Sequence, residues 1–227
     1  MRPPLVVLAS ARELPPGDAW LGAEERATLA RLRAPRRRRD FRLGRLAARR
    51  AVALLDGRLA GAGTGTLEVR RGPGGAPWAC REGVPVDATL SISHSDGWAA
   101  AAVQPGRVRL GCDVESVAPR SPGFSADYFT PAEQAFLGGG GPGEAALRAT
   151  LLWSAKESVM KALGEGLRLA PRGVEVLPCL APPTAAGWRA FSIAGPPQAR
   201  NLRGSWRVAE GLVLSVAAEA GEPSLQS

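Results

Sequence analysis

The order of strand-like and helix-like segments predicts an α+β fold with two similar halves. An apolar strand, two helices and several strands fill the first half of the 227-residue chain, and the same order of element types follows in the second half. A chain of this length can bury a substantial core. We therefore expect a pseudo-twofold tandem of α+β halves, residues 1–110 and 111–227, with the active site in the cleft between them.

Hydrophobic periodicity assigns the elements of the first half. Residues 5–11 are an apolar run too short for a signal peptide, so they predict a first strand. Residues 23–33 predict a short helix, and residues 35–55 a longer one with apolar positions three and four apart and Pro35 in its first turn. Alternating residues 66–71, 89–93 and 98–103 predict strands, the last two joined by a turn at 95–97.

The second half repeats this order with clearer helix signals. Residues 107–115 predict a strand and 117–127 a loop, after which Thr130 caps a helix that has Pro131 at its first position. A long helix is predicted over 144–163, with Gly164 at its end. Strands are predicted over 173–177, 188–193, 205–209 and 212–218, and residues 222–227 are expected to be frayed.

Bulk composition points to an anionic partner. The formal net charge is +8, and aromatic residues make up only 5% of the chain. A basic surface attracts phosphorylated ligands, acidic proteins or nucleic acid, but basic stretches interleaved with aromatic residues, which favour nucleic acid, are missing. Four consecutive arginines at positions 36–39 are either a solvated face or an anion-attracting one.

Two further compositional features bear on location. Three widely spaced cysteines fit neither a disulfide framework nor a zinc site, so a reduced, cytoplasmic setting is expected. No run approaches the roughly 18 apolar residues of a membrane span.

The rarest charged residues lie in one helical stretch. Of 29 Lys and Arg residues only two are Lys, Lys156 and Lys161, and both lie in the helix predicted over 144–163. Glu157 and Lys161 are four apart and share a helix face, which by itself describes an ordinary surface pair. Alternation puts Asp113 and Glu115 on one face of a strand, and the single histidine, His94, follows another strand. Together these residues suggest a hard metal ion and a phosphorylated ligand.

Three blocks carry a resemblance to a known family. They are Ser91-Ile92-Ser93-His94-Ser95, then Gly111-Cys112-Asp113-Val114-Glu115, then Trp153-Ser154-Ala155-Lys156-Glu157-Ser158-Val159-Met160-Lys161. In order and spacing they resemble the Sfp-type 4'-phosphopantetheinyl transferases. Softer matches are Glu25-Arg26, the segment around Gly44-Arg45, Arg71 with Gly75-Ala76-Pro77, and the segment from Tyr128 to Glu133.

The resemblance implies an enzyme that transfers 4'-phosphopantetheine from coenzyme A to a serine of an apo carrier protein and releases 3',5'-ADP. Such a reaction activates fatty-acid, polyketide or nonribosomal peptide synthesis, the last two belonging to secondary metabolism. It further implies a cytoplasmic monomer with coenzyme A as co-substrate and an acidic acyl or peptidyl carrier protein as partner, and it implies no nucleic acid and no membrane.

Residue roles follow from the same resemblance. Mg²⁺, or Mn²⁺, would be held by Asp113, Glu115 and Glu157. Coenzyme A would be bound by five side chains: Arg26, Arg71, Ser93, His94 and Lys161. The catalytic residues would be Glu157 as the best candidate for the base, directly or through a metal-bound water, Lys161 at the leaving pyrophosphate oxygen, and Asp113. Glu133 would lie near the active site, and Ala76 departs from the basic residue that many relatives have between Gly and Pro.

Two other classes of function remain open on the sequence alone. A metal-dependent phosphoesterase or nuclease could use the same carboxylates, although that class usually shows more than one histidine. A non-catalytic basic module for nucleic acid fits the net charge of +8, but it would leave the three carboxylates without a role.

Overall fold

The structure, a computed structural model, describes residues 4–57, 67–72, 74–141, 143–164, 169–219 and 224–226. Its α-helices are α1 (Ala23–Arg31), α2 (Pro35–Leu55), α3 (Pro122–Tyr128), α4 (Pro131–Gly138) and α5 (Ala145–Leu163). Its strands are β1 (Leu5–Ser10), β2 (Leu67–Arg71), β3 (Pro77–Arg81), β4 (Val84–Pro85), β5 (Ala88–Ser95), β6 (Trp98–Pro105), β7 (Leu110–Ser116), β8 (Glu175–Pro178), β9 (Arg189–Ala194), β10 (Arg203–Ala209), β11 (Leu212–Ala218) and β12 (Ser224–Gln226).

The first sheet has the strand order β12-β1-β6-β5, and β2, β3 and β4 form a separate small sheet. Helix α2 packs on β1, β5 and β6. Its small residues allow this close packing, because Ala47, Ala48 and Ala51 are fully buried against the strands. The apolar stripe predicted for residues 35–55 is therefore the face that α2 buries.

The hairpin between β5 and β6 turns through two residues. Asp96 and Gly97 both have positive φ, 43° and 82°, and Ser95 pairs with Trp98 across the turn. Positive φ at both central positions is typical of the tight turns that match the twist of a hairpin, and an Asp-Gly pair tolerates it well. This turn fixes the register of β5.

The second sheet has the order β7-β11-β10-β9-β8, and helix α5 packs on β7 and β11. A buried cluster that includes Leu152, Val159 and Met160 joins α5 to this sheet. Another cluster, with Val6 and Ala100 from the first sheet and Val114 and Val216 from the second, lies between the two sheets. The mixed helices and sheets confirm the predicted α+β fold class.

The two halves share one order of elements. A first strand (β1 or β7) pairs antiparallel with a last strand (β6 or β11). Helices α1 and α2 separate β1 from β2, and α4 and α5, preceded by the additional short helix α3, separate β7 from β8. This correspondence supports the expected tandem of halves, which stays a prediction, as does the boundary between residues 110 and 111.

In each half, a buried glutamate connects the helix that precedes the longest helix to a strand and to that longest helix. Glu25 accepts hydrogen bonds from the backbone N–H of Gly22, at the start of α1, and of Val69, in β2, each at 2.8 Å. Its charge is balanced by Arg49 of α2, whose Nη2 lies 2.7 Å from Oε2. A fully buried carboxylate is tolerable only when it is paired and hydrogen-bonded in this way.

Glu133 has the same arrangement in the second half. It accepts from the backbone N–H of Thr130, at the start of α4, and of Val176, in β8, at 2.7 and 2.8 Å. The cation is Lys156 of α5, with Nζ 2.7 Å from Glu133 Oε1. Lys156 is fully buried and also donates to the carbonyl oxygens of Pro171 and Val174. Lys156 and Glu133 are thus structural partners in the described part of the chain.

Two sequence-based predictions were wrong. Residues 122–128 form helix α3, which occupies most of the second half of the loop predicted over 117–127, with Ser121 capping it by accepting from the backbone N–H of Phe124. Residues 224–226, expected to be frayed, pair in parallel with β1 as strand β12. Strands β3 and β4 were not foreseen. The predicted strand over 66–71 is observed from Leu67 onward, and Thr66 lies outside the described residues.

Helix α5 lies unusually close to strand β7 at Gly111. A Cβ atom built on Gly111 would lie 1.9 Å from the carbonyl oxygen of Ser158 and 2.6 Å from the backbone nitrogen of Ala162. No side chain fits there, so glycine permits the contact that places Lys161 of α5 above β7. Among the helices described, none combines the length and apolar character needed to cross a lipid bilayer.

We predict that Gly111→Ala destabilises the protein by more than the roughly 1–3 kcal/mol of ordinary overpacking, because the clash is with backbone atoms. Urea denaturation followed by circular dichroism measures the change. Gly138→Ala, at the end of α4 and with open space around it, is the matched control and should change stability by less than about 0.5 kcal/mol. Equal stability of the two variants would contradict the close approach.

We predict that Lys156→Met lowers the free energy of unfolding by about 3–5 kcal/mol, because it leaves the buried Glu133 carboxylate without its cation. The double variant Lys156→Met, Glu133→Gln should recover part of the loss. Chemical denaturation of the three proteins provides the comparison. A single variant as stable as the parent would show that the pair contributes nothing to folding.

Candidate functional site

A lysine and an aspartate join helix α5 to strand β7 beside strand β5. Lys161 Nζ lies 2.7 Å from Asp113 Oδ1 and also donates to Ser93 Oγ at 3.0 Å and to the Cys112 carbonyl oxygen at 3.2 Å. Although burial disfavours the ammonium charge, the Asp113 carboxylate raises the pKa of Lys161 above its usual value. Lys161 is therefore a fixed positive charge.

Glu115 lies two residues beyond Asp113 on the same strand. It accepts from Ser95 Oγ at 3.2 Å, and Arg120 approaches it at 3.5 Å. Burial raises the pKa of the Glu115 carboxyl, and the negative charge of Asp113 adds to this. The alternation predicted for β7 thus brings both carboxylates to one face, as expected.

Glu157 completes the acidic group from helix α5. Burial raises the pKa of its carboxyl, the charge of Asp113 raises it further, and Lys161, one turn along the helix, opposes the shift. The sequence-based prediction that Glu157, Lys161, Asp113 and Glu115 lie together is consistent with these mutual influences. Three buried or half-buried carboxylates near one another repel unless a cation stands between them.

The donor chemistry fits a hard divalent cation. Asp113 Oδ2 is buried and has no hydrogen-bond partner, and an orphaned carboxylate oxygen is a natural ligand for Mg²⁺. Across the described residues, however, no three His, Cys, Asp or Glu side chains converge closely enough to form a complete metal site. Mg²⁺ commonly uses only one or two carboxylates together with substrate phosphates and water.

A cavity of about 690 Å³ opens on the other side of strand β5. Its walls come from α1, α2, β2, the turn before β3, and β5. The charged side chains that line it are Glu24, Glu25, Arg37, Asp40, Arg45, Arg70, Arg71 and His94. Every lining residue lies between positions 24 and 94, so the cavity belongs to the first half of the chain.

Arg45 is the most deeply buried cation of this cavity. Its guanidinium lies 4.2 Å from the centre of the Phe41 ring, and its Nε is 3.5 Å from Glu25. Burial lowers the pKa of Arg45 to about 10, and the nearby charges of Arg71 and Arg49 act in the same direction while Glu25 opposes them. Several guanidinium groups held this close together favour an anionic ligand between them.

His94 faces this cavity from the end of β5. Its ring is half exposed, and Nδ1 lies 3.9 Å from Asp40 Oδ2 on helix α2. Because successive side chains of a strand point to opposite faces, His94 faces the cavity while Ser93 faces Asp113. Adjacent residues of one strand thus serve two different sites.

The other predicted ligands of coenzyme A have mixed positions. Arg71 lines the cavity as expected. Arg26 does not line it, is exposed, and donates to the Leu21 carbonyl oxygen. The hydroxyl of Ser93 is engaged by Asp113 and Lys161 and lies outside the cavity wall. Of the arginines at 36–39, Arg37 lines the cavity.

Sequence reasoning missed several residues of the two sites. The sequence analysis assigned no binding role to Arg45 or Phe41, although an arginine next to Gly44 on the apolar side of the predicted helix over 35–55 was a usable signal. Cys112, which precedes Asp113 on β7, is buried in the core. Its burial raises the thiol pKa to about 11.

Comparison with known proteins gives one family. Residues 109–215 match the family model described as ACPS, the 4'-phosphopantetheinyl transferase superfamily. The matched segment contains β7, α5 and therefore Asp113, Glu115, Glu157 and Lys161. No curated protein matches the chain. The match supports the 4'-phosphopantetheinyl transferase superfamily for this part of the chain and, with it, a transferase.

Proposed function

We propose that the protein is an Sfp-type, Mg²⁺-dependent phosphopantetheinyl transferase, which moves the 4'-phosphopantetheine group of coenzyme A to a serine of an acidic carrier protein. The superfamily match supports phosphopantetheine transfer in general. The finer assignment draws on the arrangement of the two sites on either side of β5.

One observation carries the proposal: a basic cavity and an acidic cluster with a fixed lysine share strand β5. Coenzyme A bears a phosphate on the 3'-oxygen of its ribose and a pyrophosphate on the 5'-oxygen of the same ribose. The cations of the cavity suit the 3'-phosphate, with His94, Arg45 and Arg71 at its wall. Lys161 and the carboxylates suit the pyrophosphate, which adjoins the bond that breaks.

The chain's own residues would position and polarise the reactants. The carrier serine oxygen forms a bond to the β-phosphorus, and the bond from that phosphorus to the bridging oxygen breaks, which releases 3',5'-ADP. Glu157, on the face of α5 that carries Lys161, would take the serine proton, directly or through water. Lys161, held by three acceptors, would face the negative charge that develops on the leaving oxygen.

We place Mg²⁺ at Asp113, Glu115 and Glu157, of which one or two would bind it directly while substrate phosphates and water complete its ligands, and there it would neutralise charge on the pyrophosphate. The orphaned Oδ2 of Asp113 supports Asp113 as one of these ligands. The net charge of +8 fits an acidic carrier protein.

The direct test incubates the purified protein with coenzyme A, Mg²⁺ and an apo carrier protein and follows the carrier by mass spectrometry. We expect the carrier mass to rise by one phosphopantetheine group and 3',5'-ADP to appear in equal amount. A carrier of unchanged mass, tested across acyl and peptidyl carriers, would contradict the proposed function. Hydrolysis of coenzyme A without carrier would point to a phosphoesterase instead.

We predict that Glu157→Gln lowers the transfer rate by about 10²- to 10⁴-fold, the usual contribution of a positioned base. Folding raises the pKa of Glu157. Its negative charge therefore lowers stability at pH values above the pKa of the folded state, and this destabilisation disappears as the pH falls below the pKa of the unfolded state. The uncharged amide should therefore leave stability at pH 7 equal to or above that of the parent. Rates and thermal melting measure the two effects.

The matched control is Glu144→Gln, an exposed position just before α5 that pairs only with Arg148 among the contacts described. It should keep full transfer. A Glu157→Gln rate close to that of the parent at saturating Mg²⁺ would remove Glu157 from the mechanism.

We predict that His94→Ala weakens coenzyme A binding by about tenfold or more, since it removes a hydrogen bond to a charged phosphate. Dephospho-coenzyme A lacks the 3'-phosphate and should be used almost equally well by both proteins. Comparing kcat/KM for the two donors separates this contact from a general disturbance. Equal losses with both donors would show that His94 does not bind the 3'-phosphate.

A further inference from the structure

Three serines at alternate positions of β5 join it to β7. Ser91, Ser93 and Ser95 all point towards β7, where they bond to Cys112, Asp113 and Glu115. Alternation explains the common direction, because every second side chain of a strand shares a face. The three hydroxyl groups form one row, which we call the serine row.

The serine row links β5 to β7 in place of a ladder of backbone hydrogen bonds. Strand β5 is the edge of the first sheet and β7 the edge of the second, and although the two strands pack together they belong to different sheets. Unpaired edge strands need another means of satisfying or covering their polar groups. Ser91 accepts from the Cys112 backbone N–H at 3.0 Å, and Ser95 accepts from the Ser116 backbone N–H at 3.3 Å.

Two of the three hydroxyl groups also orient a carboxylate. Ser93 Oγ accepts from Lys161 Nζ, so its own proton is free to go to Asp113 Oδ1, which lies 2.6 Å away. Lys161 donates to the same oxygen at 2.7 Å. Oδ1 is therefore held by two donors, while the buried Oδ2 has no partner. The carboxylate cannot rotate without losing both hydrogen bonds.

Ser95 repeats this arrangement at the next position. The Ser116 N–H occupies a lone pair of its hydroxyl oxygen, and its proton goes to Glu115 Oε2 at 3.2 Å. Ser91 differs, because its hydroxyl accepts from the Cys112 backbone N–H, its carbonyl oxygen accepts from the Cys112 thiol, and it contacts no carboxylate through either described bond. Two residues of the serine row thus donate a hydrogen bond to a carboxylate, and the third only links β5 to β7.

We propose that Ser93 and Ser95 are positioning residues for the metal-binding carboxylates, with Ser93 presenting Asp113 Oδ2 to a divalent cation. This rests on the proposed function only for the identity of the ligand. Groups that orient ligating side chains commonly contribute about 10- to 100-fold in metal affinity. Ser93 belongs to the first sheet and Asp113 to the second. A residue of the first sheet thereby contributes to the metal affinity of a carboxylate in the second.

The test measures Mn²⁺ binding by electron paramagnetic resonance, with and without coenzyme A, for the full-length protein and its variants. We expect Ser93→Ala to weaken Mn²⁺ binding by about 10- to 100-fold and Ser95→Ala to weaken it less, because its contact is longer and more exposed. Ser91→Ala is the matched control. It should lower the melting temperature, since Cys112 N–H loses its acceptor, but leave Mn²⁺ affinity unchanged.

Several outcomes would overturn the proposal. One is an Mn²⁺ affinity of Ser93→Ala equal to that of the parent protein. Another is a loss of Mn²⁺ affinity in Ser91→Ala as large as that in Ser93→Ala. The third is a parent protein that binds no Mn²⁺ with or without coenzyme A. Should Ser93→Ala not fold, Ser95→Ala decides, and affinity equal to that of the parent contradicts the proposal.

Transfer to a carrier protein is measured on the same samples. A parent protein that binds Mn²⁺ with the expected pattern but transfers nothing would leave the serine row intact and refute the transferase. A parent protein that transfers while Ser93→Ala binds Mn²⁺ normally would refute the serine row alone.

Discussion

The contact between Lys161 and Asp113 connects the parts of this protein on which the proposed chemistry depends. It links helix α5 to β7 in the second sheet, and through Ser93 it reaches β5 in the first. The contact exists only because Gly111 lets the helix approach the strand closely. The ion pair therefore depends on three features that bring the two side chains together: the glycine at position 111, the register of α5, and the packing of the two sheets.

The electrostatics of the candidate site oppose stability. Burial and the charge of Asp113 raise the pKa values of Glu115 and Glu157, which means that their ionised forms are unfavourable in the folded protein. Asp113 Oδ2 adds a buried oxygen without a partner. The Glu25 and Glu133 carboxylates differ, because backbone N–H groups and a cation satisfy each. The fold can therefore satisfy buried carboxylates, and leaves those of the candidate site incompletely satisfied.

Local patterns in the sequence predicted much of the fold and the acidic cluster. The spacing of Glu157 and Lys161 and the alternation of Asp113 and Glu115 are properties of single elements, and they hold in the structure. What could not be foreseen depends on distant parts of the chain: the pairing of β12 with β1, the partnership of Lys156 with Glu133, and the direction of the Ser93 hydroxyl. Helix α3 was not predicted because it is short and its sequence has only a weak pattern of apolar residues.

The two-residue turn between β5 and β6 has a consequence beyond the hairpin itself. Side chains of a strand change face at every residue, so a slip of one position would exchange the surroundings of Ser93 and His94. The hydroxyl would then face the basic cavity and the imidazole would face Asp113. Asp96 and Gly97, with their positive φ angles, hold this register. Lengthening or shortening the chain at this turn by a single residue would thus be far more disruptive than most substitutions in either site.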